Sequence, residues 1–209
     1  MIFKAELPDA DSALPGRDSA MPITDRHAVL GSTLLPPYPE NMQSAMFGMG
    51  CFWGVERLFW GVNGVYSTAV GYAAGSTPHP SYHEVCTGQT GHNEVVYVVF
   101  DPSQLHYRQL LSLFWENHDP TQGMRQGNDR GSQYRSAIFY ADEAQKQVAE
   151  SVIHAVEASG KWPGKVVTEL APVGDFWEAE AVHQDYLVQH PNGYTCHWVR
   201  PDWVLSRQR

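Results

Sequence analysis

The run Val95-Val96-Tyr97-Val98-Val99-Phe100 constrains this chain more than any other stretch. β-Branched and aromatic residues in a near-continuous apolar run suit a strand buried on both faces. Such a strand needs cover on each side, and 209 residues can bury roughly 70% of the unfolded surface, enough for one sizeable core. The expectation is one domain, 45–209, preceded by an extended arm over 1–44, whose Pro, Asp and Ser carry no sustained periodicity.

Other elements follow from local patterns. Ala45 to Met49 reads as a short strand, and after Cys51 the segment Val55-Glu56-Arg57-Leu58-Phe59-Trp60 reads as a helix. Gly61 and Gly64 break the chain before the β-rich Val65 to Tyr72, and Ser81 with Glu84 has capping-box spacing for a short helix that holds Cys86. Asp101-Pro102 predicts the start of a helix running to about His118, with Tyr107, Leu110, Leu111, Phe114 and Trp115 at helical spacing.

A polar loop from Asp119 to Gln133 leads to a strand over Ser136 to Tyr140 and a helix from Asp142 to Gly160. Val166 to Leu170 predicts a last strand, Phe176 to His190 a last helix, and Pro191 the start of an irregular tail. The first six major elements run β-α-β-β-α-β. That order predicts an α+β fold: a ferredoxin-like, two-layer core with appended helices and the N-terminal arm.

Bulk properties narrow the function. A formal charge of -9, with 14 basic residues and no basic run, argues against binding nucleic-acid phosphates or anionic lipids. No apolar stretch is long enough to span a bilayer, and the first 20 residues lack a signal-peptide core, so the expected compartment is the cytoplasm. Cys51, Cys86 and Cys196 are too few for a secreted disulfide framework. His79, His83 and Cys86 are close in sequence, but without paired zinc spacing they predict no metal.

The chemistry centres on Gly50-Cys51-Phe52-Trp53-Gly54, where a strand hands over to a helix. Free N–H groups and the helix dipole there would favour a thiolate, making Cys51 a candidate nucleophile. Phe52 and Trp53 offer either an apolar wall for a ligand or ordinary core. Glycines around the cysteine are close to a dinucleotide fingerprint, yet the spacing is one residue too long and the bulky aromatics would obstruct a pyrophosphate.

This pentapeptide resembles the signature of A-type peptide methionine sulfoxide reductases, and further matches fall in the family's order. They include Gly71-Tyr72, Tyr82, Gly91-His92-Asn93-Glu94-Val95, Phe114 to Pro120, Gln126-Gly127-Asn128-Asp129, Gly131 to Ser136 and His183-Gln184-Asp185-Tyr186. The resemblance runs from about Ala45 to Tyr194. It implies reduction of methionine S-sulfoxide, free or in proteins, without a bound cofactor and with thioredoxin or dithiothreitol as external reductant.

A sulfoxide sulfur is a poor electrophile until its oxygen is hydrogen-bonded or protonated, so the implied reaction needs an acid beside the thiol. Glu94, at the mouth of the apolar strand, is the expected acid. By the resemblance, Tyr82 and Tyr134 hold the sulfoxide oxygen, and Asp129 positions the substrate's main chain. His183 and Tyr186, three apart on the expected last helix, line the site with Phe52 and Trp53.

Attack would leave Cys51 as a sulfenic acid, and Cys196, in the tail, is expected to condense with it. Many members place that cysteine directly after Gly-Tyr, whereas Gly193-Tyr194-Thr195-Cys196 inserts Thr195 and no cysteine follows; Cys86 is the competitor. The expected partners are oxidised methionine and thioredoxin, with neither nucleic acid nor membrane, for a monomer. Two other readings stay open: a hydrolase with Cys51 activated by His183 or His92, and a non-catalytic module binding Met-containing peptides.

Overall fold

The computed structural model describes residues 6–197, 200 and 202–204. Strand β1 (Gln43–Met49) leads into helix α1 (Phe52–Trp60), followed by β2 (Val65–Ala73), α2 (Tyr82–Cys86), β3 (Asn93–Phe100) and α3 (Tyr107–Asn117). After a small hairpin of β4 (Arg125–Gln126) and β5 (Asp129–Arg130) come β6 (Ser136–Tyr140), α4 (Glu143–Ser159), β7 (Glu169–Pro172), β8 (Phe176–Glu178) and α5 (Tyr186–Gln189).

Among the described residues the main sheet has six strands in the order β7-β6-β1-β3-β2-β8, antiparallel except for the β6–β7 pair. The protein is therefore α+β, and the central order β6-β1-β3-β2 is compatible with the split β-α-β arrangement. Alternation along β3 explains its composition. Val96, Val98 and Phe100 enter the large core under α1, α3 and α4, whereas Val95 joins Met46, Ala73, Ala137 and Phe139 on the opposite face.

The large core is centred on Phe47, whose ring stacks on Phe59 at 5.2 Å between centroids and lies 5.6 Å from Phe114. Phe47 has no exposed surface, so Phe47→Ala leaves a cavity that its packed neighbours cannot fill. We expect a loss of about 3–5 kcal/mol in unfolding free energy, measured by denaturant titration with an unchanged m-value.

Three boundaries differ from the sequence reading. The first strand begins at Gln43, inside the stretch assigned to the arm. Asp101 caps a separate turn through Ser103 and Gln104, and α3 starts only at Tyr107, where the Gln109 side chain accepts from the backbone N–H of His106. The strand expected from Val166 is β7, which begins at Glu169, three residues later.

The expected helix over 176–190 is replaced by β8, a turn and the four-residue α5. Two contacts break it: β8 pairs with Gly71–Ala73 of β2, and the Gln184 amide is drawn to the backbone N–H and C=O of Val70. The arm lies on the body. Leu14 bonds to Gln89 and Thr77, Thr33 accepts from Ser67, and His27 and Leu34 are buried. No helix among the described residues is long and apolar enough to cross a membrane.

Candidate active site

Cys51 is the N-cap of α1, at the corner where β1 ends. Gly50 makes that corner possible: its φ is +94°, and a Cβ there would lie 2.6 Å from the side chain of Gln126. The residue after the cysteine is tied to the acid, because the backbone N–H of Phe52 donates to Glu94 Oε2 at 3.1 Å. Glu94 Oε1 is buried and makes no hydrogen bond among the described residues.

Of this pair, the cysteine does not hold its proton as the sequence led us to expect. The N–H of Trp53 points at the Cys51 sulfur and favours thiolate, but burial outweighs it, and Glu94 and Cys196 add to the rise. The Cys51 pKa is therefore raised well above its ordinary value, and the resting sulfur is a thiol rather than the thiolate expected at a helix N-terminus. Burial also pushes Glu94 up to about 8, against the lowering hydrogen bond from Phe52, with the Asp129 charge adding to the rise. At neutral pH both groups keep their protons in a closed, low-dielectric site.

Aromatic rings build one wall. Trp53 stacks on Tyr186 at 4.0 Å between centroids, and its indole N–H donates to His183 Nδ1 at 3.2 Å. Tyr82 packs against His183 at 4.5 Å and stacks over Trp53 and Phe52. His183 and Tyr186 both pack on Trp53, from a turn and the start of α5 rather than from one helix. Phe52 is fully buried, so it backs the wall as core, while Trp53 is partly open.

Tyr82 and Tyr134 both lie close enough to Glu94 and Cys51 to feel their charge. Tyr82 and Tyr134 are each raised above the usual tyrosine range by burial, and then by the charge of Glu94. Cys86 is hydrogen-bonded to Tyr82, and burial raises its thiol to about 11. It is thus a half-buried neighbour of the site.

The tail closes over the corner. A Cβ on Gly54 would fall 2.3 Å from Thr195 Oγ1, and the backbone N–H of Cys51 is bonded to the Cys196 sulfur. Asp129 receives the Tyr194 hydroxyl at 3.0 Å on each carboxylate oxygen and is also hydrogen-bonded to Cys196. Thr195 therefore does not keep Cys196 away from Cys51, and both remain free thiols.

Sequence reasoning missed Tyr194 as a partner of Asp129, and it missed Glu180. The Glu180 carboxylate takes the N–H of Tyr82 at 2.8 Å and the hydroxyl of Tyr72 at 2.9 Å, fixing the start of α2. Its acidic neighbours in Glu178-Ala179-Glu180 gave no sign of which would turn inward. Among the described residues His92 is engaged by Gly75 and Thr77, and His183 by Trp53. Neither imidazole is paired with Cys51 as a hydrolase base would be.

Comparison with known proteins agrees with this geometry. Residues 43–206 match the model of the family described as peptide methionine sulfoxide reductase. A peptide methionine sulfoxide reductase of Synechocystis sp. is 55% identical over 91% of this chain and 87% of its own length, and one of Salinispora arenicola is 56% identical over 93% and 90%. The structure of methionine sulfoxide reductase A of Corynebacterium diphtheriae superposes with a TM-score of 0.81 at 41% identity, covering 91% of this chain and 93% of that one. The chain belongs to the peptide methionine sulfoxide reductase family and is an oxidoreductase.

Proposed function

We propose that this chain reduces the S epimer of methionine sulfoxide, peptide-bound or free, with Cys51 as nucleophile and Glu94 as acid. The observation that carries the reading is the buried, unpartnered Oε1 of a Glu94 held near 8, in the same closed corner as Cys51. A sulfoxide oxygen placed there accepts the Glu94 proton as the Cys51 sulfur attacks the sulfoxide sulfur, and the thiol proton then replaces the one Glu94 gave up. The oxygen, now a hydroxyl, passes to the Cys51 sulfur as the bond between the two sulfurs breaks with its electron pair going to the methionine sulfur; methionine leaves and Cys51 is a sulfenic acid.

Tyr82 and Tyr134 add hydrogen bonds to that oxygen while charge builds on it. Trp53, backed by Phe52 and flanked by His183 and Tyr186, takes the methyl end, and Asp129 takes the substrate's main chain after releasing Tyr194. Cys196 then attacks the sulfenic sulfur, forming a Cys51–Cys196 disulfide and expelling water. Thioredoxin reopens the disulfide by exchange, leaving two thiols and its own disulfide. No bound cofactor enters these steps. The enzyme works as a cytoplasmic monomer, with the catalytic domain starting at Gln43, where β1 begins.

Resolved epimers test the substrate assignment. With dithiothreitol as reductant, the S epimer is consumed completely and the R epimer remains. Consumption of both at similar rates would overturn the assignment.

A further inference from the structure

Behind the aromatic wall lies a second buried polar cluster that the reaction steps do not use. His27 from the arm, Glu56 from α1 and Asp185 from the turn before α5 are all buried, and their ligating atoms lie within 4.8 Å of one another. His27 Nδ1 is 2.8 Å from Asp185 Oδ1, and Nε2 is 2.8 Å from Thr68 Oγ1. The backbone N–H of Ala28 donates to Asp185 Oδ2 at 2.7 Å, and the N–H of Asp185 donates to Glu56 Oε2 at 2.9 Å.

Asp185 is held at a φ of 52°, a left-handed conformation costly for a residue with a Cβ. The backbone accepts that cost next to Tyr186, which stacks on Trp53, and two residues after His183, which receives the Trp53 indole N–H. Glu56 lies one helical turn beyond Trp53 on α1, so the cluster links both halves of the wall.

We propose that His27, Glu56 and Asp185 form a positioning cluster that sets the wall of the methionine site, with the N-terminal arm supplying one of its three members. The proposal rests on the reading that Trp53, His183 and Tyr186 hold the substrate's methyl end. His27 Nδ1 accepts the backbone N–H groups of Val29 and Leu30 and Nε2 faces Thr68 Oγ1, so both ring nitrogens are engaged within the protein. Burial, and then the neighbouring Asp185 charge, raise the Glu56 pKa well above its ordinary value, in keeping with a neutral acid beside a carboxylate.

The test measures KM and kcat of the full chain on a short peptide containing methionine S-sulfoxide, with dithiothreitol, for Asp185→Asn, His27→Gln, Trp53→Phe and the Trp53→Phe/Asp185→Asn double variant. Asp185→Asn and His27→Gln are each expected to raise KM about ten-fold with kcat within about two-fold, the signature of lost binding rather than lost chemistry. The double variant should be no worse than the poorer single one, because both changes act on the same wall.

If Trp53→Phe raises KM while Asp185→Asn and His27→Gln leave it unchanged, the positioning cluster is overturned and the wall stands. An unchanged KM in Trp53→Phe would instead remove the wall. Strictly additive effects in the double variant would also overturn the cluster, since they would mark a general loss of stability. If Asp185→Asn does not fold, His27→Gln, which leaves the strained turn's own residue intact, decides between these results.

Discussion

Glu94→Gln lowers kcat for methionine S-sulfoxide reduction by roughly 10²–10⁴-fold with little change in KM, the range associated with losing a positioned general acid. Glutamine keeps the shape of the side chain and can still accept the Phe52 N–H that now reaches Oε2 at 3.1 Å, so the corner is preserved. What it lacks is a transferable proton. The pH dependence gives an independent readout. An acid with a pKa raised to about 8 is protonated below that value and loses its proton as pH rises through it. Wild-type kcat/KM is therefore expected to fall on the alkaline side near pH 8, and the residual activity of Glu94→Gln to lack that limb. A full-activity Glu94→Gln enzyme with the wild-type pH profile would assign the proton to another group.

Cys196→Ser gives the second large effect. Turnover driven by thioredoxin falls to background, because the sulfenic acid on Cys51 has no thiol to condense with. One methionine is still formed per chain in the absence of reductant. With dithiothreitol, a small thiol that can meet the sulfenic acid directly, turnover survives. The structure places the Cys196 sulfur 3.5 Å from where a Cβ on Gly50 would stand, next to Cys51. Cys86 is a poor substitute, being half-buried, bonded to Tyr82 and held at about 11. Wild-type thioredoxin-driven turnover in Cys196→Ser would make Cys86 the resolving thiol.

How much of this was legible in the sequence depended on whether a contact is local. The run from Val95 to Phe100 announced the central strand because both of its faces are covered. The Ser81–Glu84 capping box and the Asp142 and Gly160 boundaries of α4 were readable because their partners lie within a turn. The helix over 176–190 failed for the opposite reason: its aromatic start pairs with β2, and Gln184 bonds to Val70, 114 residues away.

The site shows the same division. Cys51, Glu94, Trp53 and Tyr82 stand out in the sequence and come together in the fold, but the ionisation expected from a helix N-terminus ignored burial. Tyr194 on Asp129 and His27 near Asp185 join segments far apart in the chain, and no local pattern marks either pair.

The central claim is that the buried Cys51 sulfur removes the sulfoxide oxygen. Its most direct test is a single-turnover reaction with excess methionine S-sulfoxide and no reductant, with methionine counted per chain in Cys196→Ser and in Cys51→Ser/Cys196→Ser. The account predicts one methionine per chain from the first and none from the second. Equal yields from both would show that another group carries the chemistry.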